Sequence, residues 1–248
     1  MQPVPSPAPA AEPARFTLPA FLLRTARVWV RHLAAFTLVG LILDLPIVAV
    51  ELRGKLGQDD VAGVLLYSFL LWTLRMLGTA ALSVGVLRSL AGERPTVASM
   101  LATPARSLWP IFAVAGAWSA LALLGFSLVL PGIFVLAAGY VAIPAVVAEP
   151  DMGTEAALRR SLLLTKGHRL VLLAGFVGLF GLEQLGSLGA ARLMTGPLAG
   201  SPPAGIAVEV AADALLCGLT SCSFAVAYHG LRVVKGLGAP RVRPPASA

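Results

Sequence analysis

Residues 149–169 read EPDMGTEAALRRSLLLTKGHR. Glu149, Asp151, Glu155, Arg159, Arg160, Lys166, His168 and Arg169 crowd into this one span. Its neighbours, IFVLAAGYVAIPAVVA at 133–148 and LVLLAGFVGLFGL at 170–182, carry no charge. A chain that turns charged for one short helix and apolar again on both sides is changing solvent. The flanking runs are of the length and character that cross lipid, and the charged span is a connection in water between them.

Composition extends that reading to the whole chain. Of 248 residues, 57% are hydrophobic and only 12% charged, and mean hydropathy is +0.84. Soluble domains carry about 25% charged residues. With half that share a water-facing surface cannot be covered, so lipid faces much of it. The net charge is +7, yet Lys and Arg lie between apolar runs instead of clustering on a soluble face. That pattern points to anionic headgroups and away from nucleic acid. Cys217 and Cys222 share one apolar run and point in different directions on a helix, so no disulfide is expected.

A span needs about 20 apolar residues in a helix. Six candidates follow: 33–50, 61–87, 108–130, 132–148, 170–190 and 205–227. The stretch 108–148 is too long for one crossing, and Leu130-Pro131-Gly132 divides it at a tight hairpin. Residues 1–17 and 238–248 are Pro- and Ala-rich tails, expected to be disordered. The expected fold class is therefore all-α: a polytopic integral membrane protein with six transmembrane helices in three hairpins, filling residues 18–237.

Basic residues in the connections set the direction. With the N-terminus cytoplasmic, that side holds Arg15, Arg24, Arg27, Arg31, Arg88, Arg94, Arg106, Arg159, Arg160, Lys166, Arg169, Arg232, Lys235, Arg241 and Arg243. The outside holds Arg53, Lys55 and Arg192, and Arg75 lies within a span. The asymmetry predicts a cell inner membrane protein with both termini cytoplasmic.

The charged span then becomes a cytoplasmic surface helix. Thr154 is placed to cap it and Glu155 sits favourably in its first turn. Ala157, Leu158, Ser161, Leu164 and Thr165 share one side, with Glu155, Arg159 and Lys166 opposite, and Gly167 is suited to end it in a left-handed turn. Similar amphipathic helices precede the other outward-going spans. In one, Arg24, Arg27 and Arg31 oppose Leu22, Ala26, Trp29 and Leu33; in the other, TVASMLATPARSLW at 96–109 carries Arg106 and is interrupted at Thr103-Pro104. The expected headgroup contacts are Arg24, Arg27, Arg31, Arg106, Arg159, Arg160, Lys166, Arg169, Arg232 and Lys235.

Four landmarks, GERP at 92–95, LPGIF at 130–134, EAALRRSLLLTKGHR at 155–169 and YHGLRVVKG at 228–236, together resemble the six-helix membrane domain that accompanies some bacterial glycerophosphodiester phosphodiesterases. That domain also occurs as stand-alone membrane proteins of unknown function. The resemblance covers roughly residues 18–237. It implies a membrane bundle but not the phosphodiesterase activity, because that enzyme's barrel needs about 250 residues of its own. The family's closing motif carries an aspartate before Leu-Arg; here His229-Gly230 precedes Leu231-Arg232, and no role for that acid transfers.

Ionisable residues inside spans are costly and mark structure or function. They are Asp44, Arg75, Glu183, Glu209 and Asp213. One reading pairs Arg75 with Asp44 on the neighbouring helix and lets the other acids reach outer-leaflet water. The other makes the set a polar path for a proton, cation or cationic headgroup, with Glu209 and Asp213 at its outer mouth. Pro46 and Pro144 are expected to kink their spans. Small residues in span five, Ala174 and Gly178, then Gly186 and Ala190, suit close packing within the chain or in a homodimer. No phosphate loop, nucleophile elbow or zinc spacing is present, and His32, His168 and His229 fall at the cytoplasmic boundary. No cofactor, metal or catalytic set is expected. The sequence reads as a non-enzymatic membrane partner, anchor or lipid-interacting component, with a small transporter or channel as the alternative.

Overall fold

The computed structural model describes residues 16–53, 61–128, 130–149, 152–196, 202–238 and 240. They form helices α1 (Leu18–Arg31), α2 (Leu33–Arg53), α3 (Val61–Leu90), α4 (Val97–Arg106), α5 (Leu108–Phe126), α6 (Leu130–Gly139), α7 (Ala142–Ala148), α8 (Thr154–Thr165), α9 (Arg169–Thr195) and α10 (Pro202–Val234). No strand occurs among the described residues. The expected tails lie outside the described residues, apart from 16–17, 238 and 240.

Five helical stretches are each long and apolar enough to cross a membrane: α3, α5, Pro131–Ala148, and the cores of α9 and α10. The bent pair α1–α2 makes up to six. Leu65, Leu123, Leu124 and Leu185 on these helices are exposed, and only lipid makes such outward faces inexpensive. The chain is a multi-pass membrane protein.

Breaks between helices have local causes. α1 and α2 meet at 81°, and at that corner the His32 ring shares a 2.7 Å hydrogen bond with Ser89 at the end of α3. Pro144 has no N–H to give the carbonyl four residues earlier, that of Tyr140, and the helix breaks there into α6 and α7. Pro46 sits inside α2, and Pro104 inside α4, which runs on to Arg106 instead of stopping at Thr103. Between α5 and α6 the backbones all but touch. A Cβ on Gly125 would lie 2.8 Å from Gly132 Cα, and one on Gly132 would lie 2.7 Å from the Phe126 nitrogen. Only glycine fits at either place.

α10 is the central post, packing on α9, α3, α2 and α1. The core around it joins Phe36, Leu87, Met100, Leu164, Tyr228 and Leu231. In α9, Gly175 seats Phe21 and Gly186 seats Leu216, while Gly178, Gly181 and Gly189 face open space. Part of the small-residue seam is therefore used within the chain.

Two local expectations are corrected. Gly153, not Thr154, is the N-cap of α8, and Thr154 is the first helical residue with no capping bond. In α1 the fully buried residues are Phe21, Thr25 and Val28; of the expected side, Leu22 and Trp29 pack on the core partly buried, while Ala26 and Leu33 are exposed. Thr25 tolerates burial because its hydroxyl bonds the Phe21 carbonyl at 3.0 Å. For α8 the expected side is buried at Ala157, Ser161, Leu164 and Thr165, and Ser161 donates to the Ala138 carbonyl at 2.6 Å. Gly167 takes φ +89 after the helix ends.

Candidate functional site

The intramembrane charges from three helices converge on one guanidinium. Arg75 on α3 donates through Nη1 to Glu183 Oε1 on α9 at 2.9 Å and through Nη2 to Asp213 Oδ1 on α10 at 2.8 Å. Thr220, two turns along α10, donates to Glu183 Oε2 at 3.2 Å. The Glu183 side chain is only 6% exposed. Burying it is affordable because the opposite charge and the hydroxyl replace its water.

This corrects the expected pairing. Arg75 does not take Asp44 as its salt-bridge partner, and Glu183 does not reach outer-leaflet water. Asp44 instead lines a cavity of about 220 Å³ together with Tyr67, Ser187, Asp213 and Arg75. A second cavity of about 220 Å³ also opens on Arg75 and Glu183 and is walled by Trp118, Tyr140, Phe176, Phe180 and Phe224. Arg75 is thus shared by an acidic cavity and an aromatic one. The side chain of Glu209 lies outside the described residues.

Hydroxyls extend the polar seam along α3 toward Arg88. Thr79 donates to the Arg75 carbonyl and pairs with Ser221 at 3.2 Å, and Ser83 donates to the Thr79 carbonyl. Tyr140 and Ser223 are 2.6 Å apart. None of these was picked out from the sequence, although Ser and Thr recurring in otherwise apolar helices were a readable signal. The break between α6 and α7 borders the aromatic cavity, to which Gly139, Tyr140 and Ile143 contribute.

A second cluster lies where α7 and α10 end. The Glu149 carboxylate receives Tyr228 at 2.7 Å and Arg232 in close contact, with Arg160 at 3.6 Å. Lys235 donates to the Leu163 and Lys166 carbonyls, closing the end of α8. The Arg169 guanidinium stacks 4.1 Å over the Phe134 ring. Arg160, Arg169, Arg232 and Lys235, expected at headgroups, are therefore engaged with the protein. Arg24, Arg27, Arg31, Arg159 and Lys166 are exposed, although Arg159 also pairs with Glu155 at 2.7 Å. The Arg106 side chain lies outside the described residues. Burial, then Lys235, lowers the pKa of His168. Burial, then Lys166 and Arg169, lowers that of Lys235.

Cys217 and Cys222 are both free thiols. Among the described residues no group of three or more His, Cys, Asp or Glu is arranged to hold a metal. No protein-family model, no curated protein and no solved structure matches this chain.

Proposed function

We propose that this chain is a non-enzymatic protein of a bacterial inner membrane, threaded as three hairpins with both termini cytoplasmic, and that it acts by engaging lipid. One observation carries the reading. Exposed cations, Arg24, Arg27, Arg31, Arg159 and Lys166, share one end of the bundle with Trp109 and Leu170, each 82% exposed. Cations beside protruding apolar groups suit a headgroup boundary, where charge meets phosphate and the apolar groups enter the acyl region. The basic asymmetry of the connections supports the orientation, and the resemblance to the six-helix membrane domain supports the membrane bundle.

The test uses the full chain in micelles doped with phosphatidylglycerol or phosphatidylcholine. The anionic lipid should raise the melting temperature and the zwitterionic one should not. Converting Arg24, Arg27 and Arg31 to Gln should remove the difference. Equal stabilisation by both lipids would overturn the reading.

A second reading is a small transporter, favoured by the two cavities that meet on Arg75. Reconstituted alone in vesicles, the chain would then move a proton or a small solute. Flat traces across a broad panel would count against it.

A further inference from the structure

The aromatic cavity has a composition that selects its occupant. Its rings touch in series: Trp118 meets Phe224 edge-on at 6.5 Å, and Phe224 meets Tyr140 at 4.5 Å. Tyr140 meets Phe176 edge-on at 6.2 Å, and Phe176 stacks on Phe180 at 5.7 Å. Ring faces carry negative charge and attract cations, most strongly where water is excluded. The Tyr140 hydroxyl is engaged by Ser223, so this residue offers the cavity its ring more than a donor.

The charge count points the same way. Across the two cavities one guanidinium faces three carboxylates, Asp44, Glu183 and Asp213. Both terminal nitrogens of Arg75 are already committed to Glu183 and Asp213, and among the described residues no second Lys or Arg lines either space. Uncompensated negative charge in a bundle interior is expensive, and a bound cation removes the imbalance. An anion would add to it, and a neutral apolar occupant would leave it.

The cavity's shape and hydroxyls narrow the class. A hard metal ion asks for six or more oxygen ligands. The cavity's hydroxyls, Thr79, Ser221 and Thr220, are already paired with each other or with Glu183. The space of about 220 Å³ lies below the roughly 300–1,000 Å³ of drug-sized sites, which suits a compact ion. It lies beside the Tyr140 break in its span, and interrupted helices near the middle of a bundle are where transporters hold charged solutes. We infer that this cavity binds a small organic cation of the alkylated ammonium class, its charge set between the ring faces and the Glu183 carboxylate. Binding without transport satisfies the inference, which also stands apart from the lipid reading.

The experiment titrates tetramethylammonium, choline and choline's neutral isostere 3,3-dimethylbutan-1-ol into the full chain in micelles, followed by calorimetry. Both cations should bind saturably, and the alcohol about tenfold or more weaker than choline, since charge is the difference between them. Phe180→Leu, at a half-exposed ring, should weaken the cations about fivefold. Glu183→Gln should weaken them about tenfold while keeping the shape and the Thr220 contact. If Glu183→Gln fails to insert, Phe180→Leu decides. No saturable signal for tetramethylammonium, equal binding of choline and the alcohol, or unchanged affinity in Phe180→Leu would overturn the assignment. A proton or lipid filling the site would give the first result, and the anionic-lipid stabilisation test would be unaffected.

Discussion

Tyr228 on α10 donates its hydroxyl to Glu149 at 2.7 Å, across 79 residues of chain. Arg232, one turn further along α10, meets the same carboxylate oxygen. This contact fastens the last helix of the bundle to the residue that ends α7, and it turns a charge expected to face water into an internal tie.

Replacing Glu149 with Gln should therefore destabilise the protein. The loss leaves Arg232, 14% exposed, without its counter-charge, and hydrogen bonds to charged groups contribute about 1.5–3 kcal/mol. Partial exposure of Glu149 places the expectation near the lower end. Thermal unfolding in detergent measures it. An unchanged midpoint would mean the cluster is held by the surrounding packing alone.

Arg75→Leu should be worse than removing the entire ion cluster. The single change strands two carboxylates, at a cost of about 3–5 kcal/mol, whereas changing Arg75, Glu183 and Asp213 together to apolar residues is closer to neutral. The yield of inserted, monodisperse protein and its melting temperature separate the two. A triple variant as unstable as the single one would contradict the ion-cluster account.

Gly132→Ala should prevent α5 and α6 from closing, because the added carbon would fall 2.7 Å from the Phe126 nitrogen, which is backbone and cannot turn aside. Overpacking of this kind costs about 1–3 kcal/mol. Gly178→Ala, where nothing lies within 4 Å, is the matched control and should leave the melting temperature unchanged.

Stability should fall as the pH is lowered through the His168 titration. Burial and Lys235 lower this imidazole's pKa below 6.5 in the folded protein. Between the folded value and about 6.5 the unfolded chain holds the extra proton, so stability rises with pH in that window. It is fully present above about 6.5 and is lost as pH drops through the folded value. The parent should lose melting temperature in acid through this titration and His168→Asn should not, so their curves run parallel at neutral pH and separate below about 6.5. Curves that stay parallel through the acid range would remove His168 from the account.

Direction is tested by labelling. A cysteine at Arg159, in a chain whose Cys217 and Cys222 are replaced by Ala, should react with a membrane-impermeant maleimide only after cells are opened. Reaction in intact cells would invert the proposed orientation.

The bundle was legible because lipid imposes a one-dimensional rule. Any apolar helical run of sufficient length is a candidate crossing, whatever its partners, and the runs around 149–169 announced themselves. The division of the long 108–148 run was legible but its place was not: α5 ends at Phe126, and Pro131 and Gly132, expected at the turn, lie in the first turn of α6. The inward side of α8 was readable too, since Ala157, Ser161 and Leu164 follow helical spacing. The inward side of α1 was readable only in part. Spacing alone picked out Leu22 and Trp29, which pack on the core only partly buried, whereas the packing of α1 against α9 and α10 buries Phe21 and Val28.

From its residues alone the chain declared which runs are apolar enough to lie in lipid and which connections are basic, because these depend on local composition. The six crossings expected stand as five, or six if the bent α1–α2 pair counts as one. Which carboxylate meets Arg75 was left to the packing of α3 on α9 and α10. Asp44 on α2 was the nearer acid in sequence, yet Glu183 and Asp213 arrive because close helix packing brings positions over a hundred residues apart within 3 Å. Partnership among buried charges is a property of side-chain position in three dimensions, and no periodicity along the chain encodes it.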